Sequence, residues 1–322
     1  PKLERVRGSS NGLERGTESG IPGASSVGLT GPYHRICLRA LLRSLVRNPI
    51  GVLGLYLAVT FPLLLGGLLS GGASSGWFVA PVHLAVAGGG LWWASRRDPD
   101  QRLTVVLALL AIPIAYSELP WLNQALAEGY RDPLVQTWEL ALTGFDPSRE
   151  LAARFPWLWL SEPLHLTYLS FYPAIYVPPI VLALRGRMPE ATTTVLGALI
   201  AAVACYLVFA VFPVQGPRYF GPPEGVPDGP MRRLTLLILE SGSSRGAAFP
   251  SSHMALMTAQ ALLALRFQTK LGILLTLCTL GVGLGAVYGG FHYAVDMAVG
   301  ALVGLLAARV ALRLHAGRSH GT

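Results

Sequence analysis

Two short histidine motifs near the C-terminus bring together residue types suited to phosphoryl chemistry. One reads Phe249-Pro250-Ser251-Ser252-His253, the other Tyr288-Gly289-Gly290-Phe291-His292-Tyr293-Ala294-Val295-Asp296. Both lie at the ends of apolar, membrane-length segments, where ionisable groups are costly and are functional suspects by default. Pro250 before an apolar run suits the first turn of a helix. Ser251 and Ser252 then fall among free backbone N–H groups, a natural seat for a phosphate, with His253 in the same turn. His292 and Asp296 are four residues apart and share a face if helical. The carboxylate can hold one ring nitrogen and leave the other as a nucleophile. Taken singly, each motif also fits a bland reading, a serine-capped helix with an interfacial histidine or a structural His–Asp pair. Taken together, they suggest phosphoryl transfer on a lipid at a membrane surface.

Positioning them requires membrane helices. The chain has 322 residues, 52% hydrophobic and 13% charged, where soluble domains carry about 25% charged residues. The expected fold class is all-α, a polytopic transmembrane helix bundle. Eight apolar segments can be read, roughly 50–70, 77–95, 103–120, 157–184, 191–212, 251–267, 271–290 and 292–313. Each is near the ~20 residues that span a bilayer, the second and sixth being short. With the N-terminus inside, inner segments hold 18 of the 25 Lys and Arg residues, as the positive-inside rule expects. Both termini are then cytoplasmic and both histidine motifs fall on the outer face. The formal net charge of +8 reports topology, and no nucleic-acid partner is needed to explain it. Residues 1–31 lack an apolar h-region and are not read as a secretory signal.

Two outer stretches are not spans. Leu134, Val135, Trp138 and Leu142 recur at helical spacing, which predicts an interfacial amphipathic helix. Asp146-Pro147 reads as an N-cap with proline at N1. The 213–230 loop, crowded with Pro and Gly, is expected to be irregular but stiff, and 231–240 to lie along the interface. Cys37, Cys205 and Cys278 show no CxxC spacing and read as apolar fillers. Neither a cofactor nor a metal is expected. A zinc site built from His253, His292 and Asp296 is the competing reading, and a non-catalytic lipid-binding bundle is another.

Pro-Ser-Ser-His followed by Tyr-x3-His-Tyr-x2-Asp resembles the type 2 phosphatidic acid phosphatase (PAP2) superfamily. Its second motif is Pro-Ser-x-His and its third ends in His-x3-Asp. The resemblance implies a six-helix core built from segments three to eight, a membrane lipid substrate and a phosphohistidine intermediate. It implies that His292 is the nucleophile, that Asp296 orients it, that His253 protonates the leaving oxygen, and that Ser251 and Ser252 hold the phosphate. The expected division is a disordered basic tail over 1–47, two additional transmembrane helices over 48–102, a catalytic membrane domain over 103–315 and a short tail over 316–322. The third motif usually begins Ser-Arg, but Gly285 and Ala286 stand there. The first motif, Lys-x6-Arg-Pro, is also missing, which leaves Arg218 as the best surrogate phosphate ligand and Arg245 as the next. The pattern is similar to the inositolphosphotransferase-like branch, which includes inositol phosphorylceramide synthases. Glu162, His165 and Tyr168, with Tyr172 and Tyr176 on one helical face, resemble that branch too. With Tyr288 they are candidates for a headgroup pocket, or else an aromatic packing stripe.

Overall fold

The structure, a computed structural model, describes residues 41–69, 78–96, 99–123, 125–126 and 129–319. Each of the eight apolar segments is helical. The helices are α1 (Pro49–Leu69), α2 (Val79–Ser95), α3 (Gln101–Ser117), α4 (Asp132–Thr143), α5 (Pro147–Arg154), α6 (Leu158–Leu169), α7 (Phe171–Leu184), α8 (Met188–Val211), α9 (Pro230–Gly242), α10 (Ser252–Phe267), α11 (Thr269–Tyr288) and α12 (Ala294–Ser319). Local chemistry sets many of these boundaries. The Asp100 carboxylate accepts from the N–H groups of Arg102 and Leu103 and caps α3, and proline stands in the first turn of α4, α5, α8 and α9.

Among the described residues, α1, α8, α11 and α12 are long and apolar enough to cross a membrane. The pair α6 and α7, bent by 42° at Ser170, adds one broken span. The expectation of eight full spans is therefore adjusted: α2 and α3 have 17 residues and α10 has 16, short of the ~20 that span a bilayer. Residues 1–40 of the expected basic tail lie outside the described residues. The remainder of that tail is not disordered, since 41–47 are helical and Leu45 is buried. At the other end, α12 runs to Ser319, into the stretch expected to be a tail.

Helix α8 is the centre of the bundle, with 67% of its apolar window buried. It packs on α1, α3, α7, α10 and α12. The helices that bear the two histidine motifs cross where α12 has glycine. A side chain at Gly300 would collide with the Ser251 carbonyl, and one at Gly304 with the Ala255 carbonyl. This small-xxx-small pattern lets the two backbones approach closely. Buried His83 ties α2 into the bundle: Nδ1 lies 2.8 Å from Glu118 Oε2 and Nε2 lies 2.8 Å from the Leu57 carbonyl oxygen.

The amphipathic helix predicted around 134–142 is α4, but its buried face differs from the expected one. Leu134 and Leu142 are exposed, whereas Asp132, Val135 and Glu139 are buried. The two carboxylates turn inward because backbone N–H donors wait for them there, as set out below. Trp138 is stacked on Phe212 at 5.9 Å. The 213–230 loop is irregular, with one 3-10 turn over Pro217–Phe220.

Candidate active site

Three loops meet at one end of the bundle. The first, after α8, carries Arg218. The second, 246–251, leads into α10. The third, 289–293, joins α11 to α12. A short parallel bridge links the first two: the Val214 N–H donates to the Gly246 carbonyl at 3.2 Å and the Ala248 N–H to the Val214 carbonyl at 2.8 Å. The Ser251 N–H donates to the Asp296 carbonyl at 3.0 Å, which ties the second loop to α12.

Helix α10 begins at Ser252, so Pro250 precedes its first turn. Ser251 is its N-cap, with Oγ accepting from the Met254 N–H at 3.3 Å. His253 therefore sits in the first turn, as expected. Its ring lies against Phe171, centroids 4.2 Å apart, and stacks on Tyr168 at 5.3 Å. Its Nε2 is 3.4 Å from the Tyr168 hydroxyl, and its Nδ1 has no partner.

His292 is not helical, since α12 starts only at Ala294. The pairing with Asp296 comes instead from the helix start. Asp296 Oδ2 accepts from the Tyr293 N–H at 3.0 Å and lies 3.2 Å from His292 Nδ1. A carboxylate in the first turn reaching back to an unpaired N–H is half of a capping box. The same oxygen fixes the Nδ1–H tautomer and leaves Nε2 for chemistry. Burial holds the His292 imidazole below its ordinary value, at about 4. The nearby Ala248 carbonyl opposes that shift and the Arg218 charge adds to it. His292 is thus neutral at pH 7, the form with a lone pair to give.

The rings of His253 and His292 are 5.8 Å apart, edge to face. Both line a cleft of about 30 Å³, as does Arg218. The Arg218 guanidinium donates to Ser243 Oγ at 2.8 Å and to the Leu239 carbonyl at 3.4 Å. Arg245 does not reach the cleft. It is exposed, donates to Gln215 Oε1 at 2.8 Å, and packs over Tyr130 and Tyr219. The absent motif arginine also has a physical reason. A side chain at Gly285 would collide with the Leu164 carbonyl, and Ala286 is fully buried.

The other predicted residues divide. Ser252 lines an adjoining cavity of about 510 Å³ beside His253, while the buried Ser251 hydroxyl is engaged in capping. Tyr168 lines the cleft, and Tyr172 and Tyr176 line the cavity. Glu162, His165 and Tyr288 line neither. Glu162 Oε2 accepts from the Met231 N–H at 3.0 Å and so anchors α9. His165 Nδ1 lies 2.7 Å from the Ser161 carbonyl oxygen, its ring edge-on to Tyr288 and Phe291. The Tyr288 hydroxyl donates to the Phe155 carbonyl at 2.9 Å. Among the described residues no group of three His, Cys, Asp or Glu side chains is arranged to hold a metal ion.

Two site-building residues escaped the sequence reading. Asp132 accepts from the N–H groups of Gln215 at 3.0 Å and Gly216 at 2.9 Å, and from the Tyr293 hydroxyl at 3.1 Å. Glu139 accepts from the N–H groups of Ala294 at 2.8 Å and Val295 at 2.9 Å, the first residues of α12. One short helix thus fixes the Arg218 loop against the His292 loop. The only signal in the sequence is a pair of acids seven apart, two helical turns on one face.

A family model described as the PAP2 superfamily matches residues 138–310, just over half of the chain. The match begins inside α4, so α3 precedes it. No curated protein and no solved structure is significantly similar.

Proposed function

The chain belongs to the PAP2 superfamily, and from that premise we propose that it moves a phosphate-bearing headgroup from a membrane lipid to an alcohol through His292. The observation that carries this reading is the single cleft lined by His292, His253 and Arg218, with Asp296 behind His292. The lone pair of His292 Nε2 attacks phosphorus and the bond to the leaving oxygen breaks. His253, which becomes an imidazolium once the anionic phosphate sits beside it, supplies the proton that oxygen needs, and Arg218 bears on the phosphoryl oxygens. In the second half, an acceptor hydroxyl attacks phosphorus and gives its proton back to His253. The N–P bond breaks and neutral His292 returns. Asp296 steadies the imidazolium character that develops at each transfer.

Transfer to an alcohol, as in the inositolphosphotransferase-like branch, draws support from the absence of the motif arginine and from the apolar cavity that adjoins the cleft. Such a cavity suits a lipid alcohol better than bulk water. Hydrolysis, the reaction of a simple lipid phosphatase, differs only in the acceptor. The excess of basic residues on the opposite loops supports an outward-facing site with cytoplasmic termini.

The test uses purified protein in lipid vesicles with chelator present. Labelled phosphatidic acid, isoprenyl diphosphate and phosphatidylinositol are supplied with and without ceramide or diacylglycerol. A new headgroup-bearing lipid that forms only with the alcohol supports transfer, whereas released inorganic phosphate without it supports hydrolysis. His292→Ala should abolish either product and any acid-labile labelled protein. Turnover that survives His292→Ala and Asp296→Asn would sink the phosphohistidine mechanism.

A further inference from the structure

The cavity beside the histidines lies between α3 and α7 and does not end within the upper half of those helices. Its walls near the cleft are Ser117 and Tyr116 on α3 and Phe171 and Tyr172 on α7. A second cavity of about 580 Å³ lies further along the same two helices, lined by Leu109 and Ile180 and reaching Arg102 and Leu184. Tyr176 is a wall of both. From Ser117 to Arg102 the groove follows fifteen residues of α3, a rise of about 22 Å. One leaflet of a hydrocarbon core of ~30 Å is only about 15 Å deep.

The groove exists because α3 and α7 meet at few points along their length. Proline lies inside each helix, Pro113 in α3 and Pro178 and Pro179 in α7. A proline ring removes a backbone N–H and crowds the preceding turn, so helices deform there rather than packing closely. The walls are mostly aromatic, proline and aliphatic side chains, with serines and His253 at the cleft end and Arg102 at the far end.

We propose that this groove holds one hydrocarbon chain of the lipid substrate, and that the chain is longer than a single leaflet. This rests on the reading that the phosphate sits between His253, His292 and Arg218. With the phosphate there, the chain enters beside Ser252, passes Tyr176 and continues toward Arg102. Tyr176 stands where the two cavities adjoin, so a chain that runs from one into the other passes its ring. The ligand class is a phosphorylated lipid with a very long single chain, isoprenoid or acyl. An ordinary diacyl lipid fills only the half nearest the histidines.

The test needs no turnover. A long polyprenyl phosphate and a very-long-chain acyl phosphate, each with a diazirine at the far chain end, are photolysed with the full-length protein in vesicles. Labelling of peptides containing Val106 or Ile180, competed by the unlabelled lipid, is expected from at least one, and which one labels tells isoprenoid from acyl. Labelling confined to Tyr172 and Ser117, or spread without competition, overturns the proposal. A turnover arm separates its failure from failure of the phosphohistidine reading. In Val106→Trp or Ile180→Trp, kcat/KM for the long-chain lipid relative to dioctanoyl phosphatidic acid should fall at least tenfold. Leu277→Trp, on an exposed face of α11, should leave that ratio unchanged. An unchanged ratio in all three refutes the groove, while lost His292 dependence refutes the chemistry and leaves the labelling result standing.

Discussion

Two amphipathic helices, α4 and α9, flank the candidate active site, and they are held in opposite ways. On α4 the polar residues face inward, with Asp132 and Glu139 each 1% exposed. Five donors from two distant segments, Gln215–Gly216 and Tyr293–Val295, end on those two carboxylates. On α9 no carboxylate turns inward: Thr235 and Leu239 are buried while Arg233, Leu234 and Leu237 are exposed. Its polar contacts to the rest of the site are at its ends. Glu162 receives the Met231 N–H at the start, and Ser243 with Ser244 meets Arg218 and the Tyr116 hydroxyl just past the finish. Helix α4 is therefore a strut that sets the spacing of the catalytic loops. Helix α9 is a roof over the cavity, with Leu239 and Ile238 lining it. Amphipathicity is common to both, so what separates strut from roof is where the carboxylates find their donors.

The sharpest way to break that distinction is Asp132→Ala. It strands two buried N–H groups and one hydroxyl, each costing about 1–3 kcal/mol when left unpaired. The expected outcome is a loss of kcat of at least about a hundredfold, equivalent to ~2.7 kcal/mol, with a lowered thermal midpoint. Asp132→Asn keeps an acceptor and should recover part of kcat at near wild-type stability. If Asp132→Ala keeps full activity in folded protein, α4 is not a strut.

Glu139→Gln comes next. The carboxylate sits at the N-terminus of α12, where a negative charge contributes about 0.3–1 kcal/mol, up to ~2 when partly buried. Glutamine keeps an oxygen for one of the two N–H donors, sets its NH2 against the other and loses the charge. A several-fold fall in kcat with little change in KM is expected from steady-state kinetics. A change confined to KM would place Glu139 with the roof instead.

The contrast also explains what could be read from the chain alone. All eight apolar segments were legible as helices because an apolar setting imposes a composition that local sequence records, although three of them are too short to span a bilayer. His253, His292 and Asp296 were legible because their roles depend on short spacings. Asp132 and Glu139 were not. Acids on an amphipathic helix look solvated until partners 83 to 161 residues away are known. The same blindness acted in reverse on Glu162, His165 and Tyr288. Tyr288 stands in a motif, and Glu162 and His165 in a stretch that resembles one branch of the superfamily, yet helix rotation turns them toward Met231, Ser161 and Phe155. Arg218 stood ahead of Arg245 in the sequence by its place at the end of the fifth apolar segment, and the loop geometry adds that Arg218 lines the cleft while Arg245 does not.

Arg218 stands between the two helices, on a loop pinned by α4 and in contact with Ser243 just past α9. Its charge is one reason that His292 titrates low, after burial. The neutral imidazole is the nucleophile, so kcat/KM should hold at neutral pH and fall as pH drops through about 4. Removing the cation in Arg218→Ala makes protonation of His292 easier and moves that acid limb to higher pH. The same variant should lower kcat/KM at pH 7, and more than Arg232→Ala or Arg233→Ala does. A pH–rate profile with an unmoved acid limb would mean that Arg218 lies too far from His292 to act on the phosphate it holds.

The smallest effect is expected from the roof itself. In Ser243→Ala the Arg218 guanidinium loses its best-placed partner and keeps only the longer contact to the Leu239 carbonyl. The residue is partly exposed, so the hydroxyl is not a buried acceptor whose loss destabilises the fold. An arginine freed in this way has less to give up when a phosphate arrives. KM for the lipid should fall about twofold, which is only ~0.4 kcal/mol, while kcat stays within error. Should Ser243→Ala instead cost kcat as heavily as Asp132→Ala, the contact would be setting the position of Arg218, and α9 would be a second strut that has no inward carboxylate.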